Sequence, residues 1–171
     1  MGEQWTFVSE DEHFRAMATI VITGANRGIG LELTRQFLAR KDRVIALCRR
    51  PSPELESLGV EVIPGIDVAD GASLAKLESL LPAGNIDVLL NNAGILRDVS
   101  FHKMSQQDWD LIYQVHVLGS FKVSHAAWPH MREQRYGRII MTSSAAGLYG
   151  NFGQANYSTA KLGLAGFGMT L

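Results

Sequence analysis

Apolar positions along the chain follow two alternating rhythms. Ala18–Thr23, Arg43–Cys48, Val60–Ile66, Ile86–Leu90 and Arg138–Thr142 are short runs rich in valine, isoleucine and leucine. Each predicts a buried strand, the third interrupted by Pro64. Between them the period lengthens. Gly28–Arg40 places Ile29, Leu33, Phe37 and Leu38 on one helical stripe, and Gly71–Leu81 spaces Leu74, Leu77, Leu80 and Leu81 in the same way. A long helical stretch is predicted from about Ser105 to Arg135, with Pro129 bending or dividing it. Ala155–Leu171 closes the sequence as another helix. Residues 1–16 hold four acids and no clear period, and are read as an appended arm before a single domain over 17–171.

Strands alternating with helices of ten or more residues predict βαβ units. The expected fold class is therefore α/β, a Rossmann-like doubly wound parallel sheet of about five strands with helices on both faces. A length of 171 residues fits one such domain. The net charge of −1 gives no electrostatic reason to expect nucleic acid or an anionic membrane as partner. Cys48, the single cysteine, has no partner for an internal disulfide. No apolar run approaches the roughly 20 residues of a membrane span, and the N-terminus lacks the basic-then-apolar order of a signal peptide. The expected compartment is cytoplasmic, with no metal site.

The first candidate chemistry follows the first strand directly, in Thr23-Gly24-Ala25-Asn26-Arg27-Gly28-Ile29-Gly30. Glycines at this spacing allow a sharp turn and let a pyrophosphate approach bare backbone. The helix opening at the end of the loop offers unpaired N–H groups and the positive end of its dipole. Gly24, Asn26, Arg27, Gly28, Ile29 and Gly30 are thus candidate dinucleotide contacts. In dinucleotide folds an acid at the end of the second strand takes the ribose hydroxyls, whereas arginine meets a 2′-phosphate. This second strand ends Leu47-Cys48-Arg49-Arg50. Arg49, with Arg27, favours NADP, and NAD is the alternative.

The second constellation is Ser144, Tyr157 and Lys161. Tyr157 and Lys161 are four apart and so share one face of a helix, and Ser144 lies thirteen residues upstream, past the fifth strand. A phenol is a poor acid–base at neutrality, with a reference pKa near 10, and a neighbouring ammonium favours its ionised form. A serine hydroxyl can hold the same reacting oxygen. Of the pair Ser143 and Ser144, the spacing selects the latter and leaves the former a structural role.

Together, the glycine loop, Asn91-Asn92-Ala93-Gly94 and the Ser–Tyr–Lys set resemble the short-chain dehydrogenase/reductase family. That resemblance implies a carbonyl or alcohol substrate and hydride exchange with a nicotinamide cofactor. It also implies that Asp67 and Val68 face the adenine, that Asn92, Ala93 and Gly94 line the cofactor cleft, and that Tyr157 and Lys161 reach the nicotinamide ribose. The family places an asparagine on the central helix in V-N-x-x-G; here Val115-His116-Val117-Leu118-Gly119 puts His116 in that slot, a further catalytic candidate.

Two branches of the family are represented. Gly24–Glu32 and Val44–Pro51 resemble small carbonyl reductases. Gly94–Asp98, Arg138–Ser144 and Tyr149-Gly150-Asn151-Phe152-Gly153-Gln154-Ala155-Asn156-Tyr157 resemble the dehydrogenase modules of peroxisomal multifunctional β-oxidation enzymes, which implies 3-hydroxyacyl-CoA oxidation and a peroxisomal compartment as alternatives. Family domains continue some 70 residues past the Tyr-x-x-x-Lys motif, so the chain is expected to be a partial domain. A homo-oligomer or dependence on a partner chain is expected, and an inactive nucleotide-binding or subunit-pairing domain is the non-enzymatic alternative.

Overall fold

The computed structural model describes residues 17–81 and 84–171, so the expected N-terminal arm lies outside the described residues. Five strands form one sheet: β1 (Thr19–Thr23), β2 (Arg43–Leu47), β3 (Glu61–Ile63), β4 (Val88–Asn91) and β5 (Arg138–Met141). Their order is β3-β2-β1-β4-β5 and every pairing is parallel. The expected doubly wound sheet is what the chain forms.

Strand alternation explains how both faces are covered. On β1, Val21 faces one way, into a core with Ile45, Leu47 and Leu89, while Ile20 and Ile22 face the other, with Val44, Ala46 and Leu90. The first face is closed by α3 (Gly71–Ala75), α4 (Leu77–Leu80) and α6 (Gly119–Glu133), through Leu74, Leu77, Val123, Ala127 and Met131. The second is closed by α1 (Gly28–Ala39) and α2 (Pro53–Glu56), through Leu31, Leu33, Phe37 and Leu55. Two carboxylates fix the start of β1: Asp87 accepts from the Thr19 N–H at 2.7 Å and Asp42 from the Ala18 N–H at 3.3 Å.

Several expected elements are corrected. The third strand stops at Ile63, because Pro64 has no N–H for the ladder and Gly65 turns the chain with φ +78°. The helix expected over Gly71–Leu81 breaks at Lys76 into α3 and α4. Pro129 does not divide the long central helix, since α6 runs through it to Glu133. The irregularity lies earlier, where a wide π turn at Gln114–Leu118 separates α5 (Gln106–Tyr113) from α6. Two short helices are additions, α2 and α7 (Ala145–Tyr149), capped by the hydroxyls of Ser52 and Ser144. The last helix, α8 (Ala155–Gly168), ends three residues before Leu171. Among the described residues no helix is long and apolar enough to cross a membrane.

Candidate active site

Every candidate residue lies at or beyond the carboxyl ends of the strands, or on a helix packed against them. Gly24 leaves β1 with φ +66° and Gly28 has φ +53°, conformations that L side chains adopt only under strain. Gly30 sits so close beneath the loop that a Cβ there would overlap the carbonyl oxygen of Gly24 and come within 2.7 Å of the Asn92 amide nitrogen. α1 opens from extended backbone at Arg27, with no side chain capping it and no acid in its first turn. Its N–H groups are left for an anion, whereas α2, α3, α5 and α7 have theirs taken by Ser52, Asp70, Ser105 and Ser144. The loop therefore fits a dinucleotide diphosphate.

Thr23 ties this loop to the next strand. Its hydroxyl accepts the N–H groups of Asn92 (2.9 Å) and Ala93 (3.0 Å) and donates to Leu90 O. The Asn92 amide in turn donates to Thr23 O at 3.1 Å. A Cβ on Gly24 would stand 3.0 Å from Ala93 Cα, so the two turns are in close contact. The threonine was visible before the glycines, but its bracing partners are about 70 residues away and sequence alone does not pair them.

Arg27 and Arg49 are both exposed. Arg49 approaches Asp67 at 3.7 Å, and both side chains are well solvated, so the pair is weak and free to rearrange. Cys48 is buried beside them, and burial raises its thiol pKa, which keeps it neutral. The second strand thus presents no acid to a ribose. Val68 packs against Gly119, where a Cβ would come within 2.9 Å of its own.

On α8, Tyr157 and Lys161 stack one turn apart, with Lys161 Nζ 5.6 Å from the phenol ring centroid. Lys161 is 3% exposed and its ammonium donates to Thr142 O. Burial pulls its pKa down to about 8. Ser144 begins α7 and its oxygen accepts the Ala146 N–H, leaving the hydroxyl proton to donate elsewhere. Ser143 instead donates to Lys161 O at 2.9 Å, which joins β5 to α8. Gly147 lets α7 pack on α8, since a Cβ there would come within 2.9 Å of Lys161 Cβ.

His116 lies in the π turn, 1% exposed, its ring edge-on to Tyr157 at 5.4 Å between centroids. Its Nε2 lies 2.9 Å from Ile95 O and 3.2 Å from Ile95 N, while Nδ1 is buried without a partner among the described residues. Donation from Nε2–H to Ile95 O leaves the buried Nδ1 as an unmatched acceptor rather than an unmatched donor. Desolvation is the main reason its pKa falls to about 4; the Lys161 charge adds to the fall, and the bond to Ile95 opposes it. The ring is neutral at physiological pH.

A cleft of about 590 Å³ at the opposite end of β5, lined by Trp128, Arg132, Tyr136 and Arg138, brings together none of these residues.

The family model described as short chain dehydrogenase matches residues 18–171. The chain is 44% identical over 167 residues to peroxisomal multifunctional enzyme A of Dictyostelium discoideum, covering 89% of this chain and 38% of that protein. It is 39% identical over 160 residues to an acetoacetyl-CoA reductase of Cupriavidus necator, covering 88% and 65% respectively. Serine dehydrogenase from Escherichia coli superimposes with a TM-score of 0.80 at 30% identity, over 89% of this chain and 74% of that one. The chain thus spans less than two fifths of the multifunctional relative.

Proposed function

From the premise that the chain belongs to the short chain dehydrogenase family, we propose that it interconverts a carbonyl and a secondary alcohol with a nicotinamide cofactor, NADP(H) in preference to NAD(H). The observation that carries this reading is the buried Lys161 ammonium beside the Tyr157 ring, one helical turn away, with Ser144 heading the neighbouring helix.

The glycine loop and the α1 N-terminus hold the diphosphate, Arg27 and Arg49 the 2′-phosphate, Asp67 and Val68 the adenine side, and Asn92, Ala93 and Gly94 the floor of the cleft. The bound nicotinamide supplies or receives the hydride. Ser144 donates to the substrate oxygen. Tyr157 gives that oxygen a proton in reduction and removes it in oxidation. Lys161, protonated below about pH 8, sets positive charge beside the phenol and reaches the ribose hydroxyls. His116, neutral, holds the Ile95 turn and the edge of the Tyr157 ring.

A second reading is 3-hydroxyacyl-CoA oxidation with NAD. It is supported by the resemblance of Tyr149–Tyr157 to that branch and by relatives named for peroxisomal multifunctional activity and for acetoacetyl-CoA reduction. The multifunctional relative, named as peroxisomal, favours a peroxisomal rather than a cytoplasmic compartment.

Fluorescence titration with NADPH and NADH, followed by turnover of acetoacetyl-CoA and of simple ketones, tests the proposal. Replacing Tyr157 with Phe is expected to lower kcat by roughly 10²–10⁴ while NADPH affinity stays within about twofold. Tyr157→Phe retaining most of its turnover would refute the acid–base assignment.

A further inference from the structure

Between β4 and the turn at Phe101–Lys103 the chain has no secondary structure, yet it is held at four points. His116 bonds the backbone of Ile95. Asn156 donates to Arg97 O at 3.3 Å, Gln154 Nε2 to Asp98 Oδ2 at 2.8 Å, and the Val99 N–H to Gly153 O at 2.9 Å. Three of these ties come from Gly153–Asn156, the segment leading directly into Tyr157.

The amides involved have little freedom. Gln154 is 8% exposed, and Asn151 donates to its Oε1 at 3.0 Å, so its NH₂ must face Asp98. Asn156 is 3% exposed; its Oδ1 takes the Tyr157 N–H at 2.7 Å while its NH₂ also reaches Asp108 O. Satisfied buried networks of this kind select one geometry. Beside them, Leu96, Phe101 at the start of the short turn, Tyr149 at the end of α7 and Phe152 stand from 51% to 89% exposed. The ties therefore fix both a wall with an apolar rim and the backbone of the phenol.

Building on the oxidoreductase reading, we propose that Gln154, through its bond to Asp98, is a positioning residue. It locks the loop after β4 to the entry of α8 and so sets where the Tyr157 oxygen meets the substrate. Misplacing a reacting group by about 1 Å costs on the order of 100-fold in rate, so the tether shows in turnover while the cofactor half-site, which it does not touch, keeps its affinity.

The test exploits the direction of the bond. Gln154→Glu keeps the volume but sets a carboxylate against Asp98. Adding Asp98→Asn restores a bond with donor and acceptor exchanged. Three readouts are taken on the whole chain: NMR hydrogen exchange at the Val99 amide, NADPH affinity by fluorescence, and kcat and KM for acetoacetyl-CoA. Gln154→Glu is expected to lose Val99 protection and at least about tenfold in kcat, with NADPH affinity within twofold. The double variant should recover both to within about threefold. Unchanged protection in Gln154→Glu, or unchanged kcat despite lost protection, overturns the proposal. An unmodified chain that reduces no carbonyl, yet shows the expected exchange pattern, refutes the oxidoreductase reading and leaves the tether standing.

Discussion

Acidification should weaken this fold through His116 in a calculable window. The imidazole is 1% exposed, and its pKa drops from an ordinary 6.5 to about 4, burial being the largest cause. Protonation would put a second N–H donor on Nδ1, which has no acceptor among the described residues. The unfolded chain takes up a proton near pH 6.5, while the native chain resists until about pH 4. Between those values the unfolded state binds more protons, so stability falls as pH falls and the loss is complete below pH 4. At 1.36 kcal/mol per pH unit, the full window amounts to about 3 kcal/mol. That is a large share of a typical net stability of roughly 5–15 kcal/mol. Urea unfolding at half-unit steps from pH 7.5 to 3.5 measures it, with His116→Gln run in parallel. Surface carboxylates also titrate in this range, so the informative quantity is the difference between the two curves. That difference should change by about 2–3 kcal/mol across pH 6.5 to 4, the variant being the less pH-sensitive. A difference flat to within about 0.5 kcal/mol would show that the ring is not held neutral by its surroundings.

Three further outcomes are expected. Arg49→Asp removes the proposed 2′-phosphate partner and adds repulsion, so the proposed NADPH preference should invert in a fluorescence titration; equal affinities for both cofactors in the unmodified protein would defeat the assignment. Gly30→Ala sets a methyl group against Gly24 O and the Asn92 amide, and should weaken dinucleotide binding by at least about tenfold. Lys161→Ala should lower both kcat and cofactor affinity, unlike Tyr157→Phe, because it removes the charge beside the phenol and a proposed ribose contact together; unaffected NADPH binding would remove Lys161 from the cofactor site.

Much of the architecture was legible because its strands are buried on both faces. Ile20, Val21 and Ile22 are fully inaccessible in the finished sheet, so the run is continuously apolar and bounded by a glycine. Where apolar content outlasted geometry, the reading ran long, as past Ile63, where proline and a left-handed glycine end the strand. Helix spacing told where α1 begins but not that Lys76 would part α3 from α4, since leucines continue in phase across the break. The π turn was invisible, because a one-residue widening leaves composition unchanged. The α2 start was missed, although Ser52-Pro53, a capping hydroxyl followed by a first-turn proline, is its local signal. The candidate site residues were found by type and spacing along the chain. Their supports were not: Thr23 with Asn92 and Gln154 with Asp98 are pairings across loops, and nothing local marks which polar side chain will face which.

The bracing of the glycine loop by Asn92 and Ala93 also orders events during synthesis. β1, β2 and β3 are consecutive neighbours and can pair as soon as they leave the ribosome, because loop closure over such distances is cheap. The other edge of β1 waits for β4, and Thr23 for the backbone that follows it, 69 and 70 residues later. A nascent chain halted before Asn92 therefore holds all three loop glycines in its sequence without the support that shapes them. Stabilisation by the proposed nucleotide, which would act only on a state that binds it, is withheld until the fourth strand has docked. The first three strands must persist until then on their own ladders and on the apolar face that α1 and α2 cover.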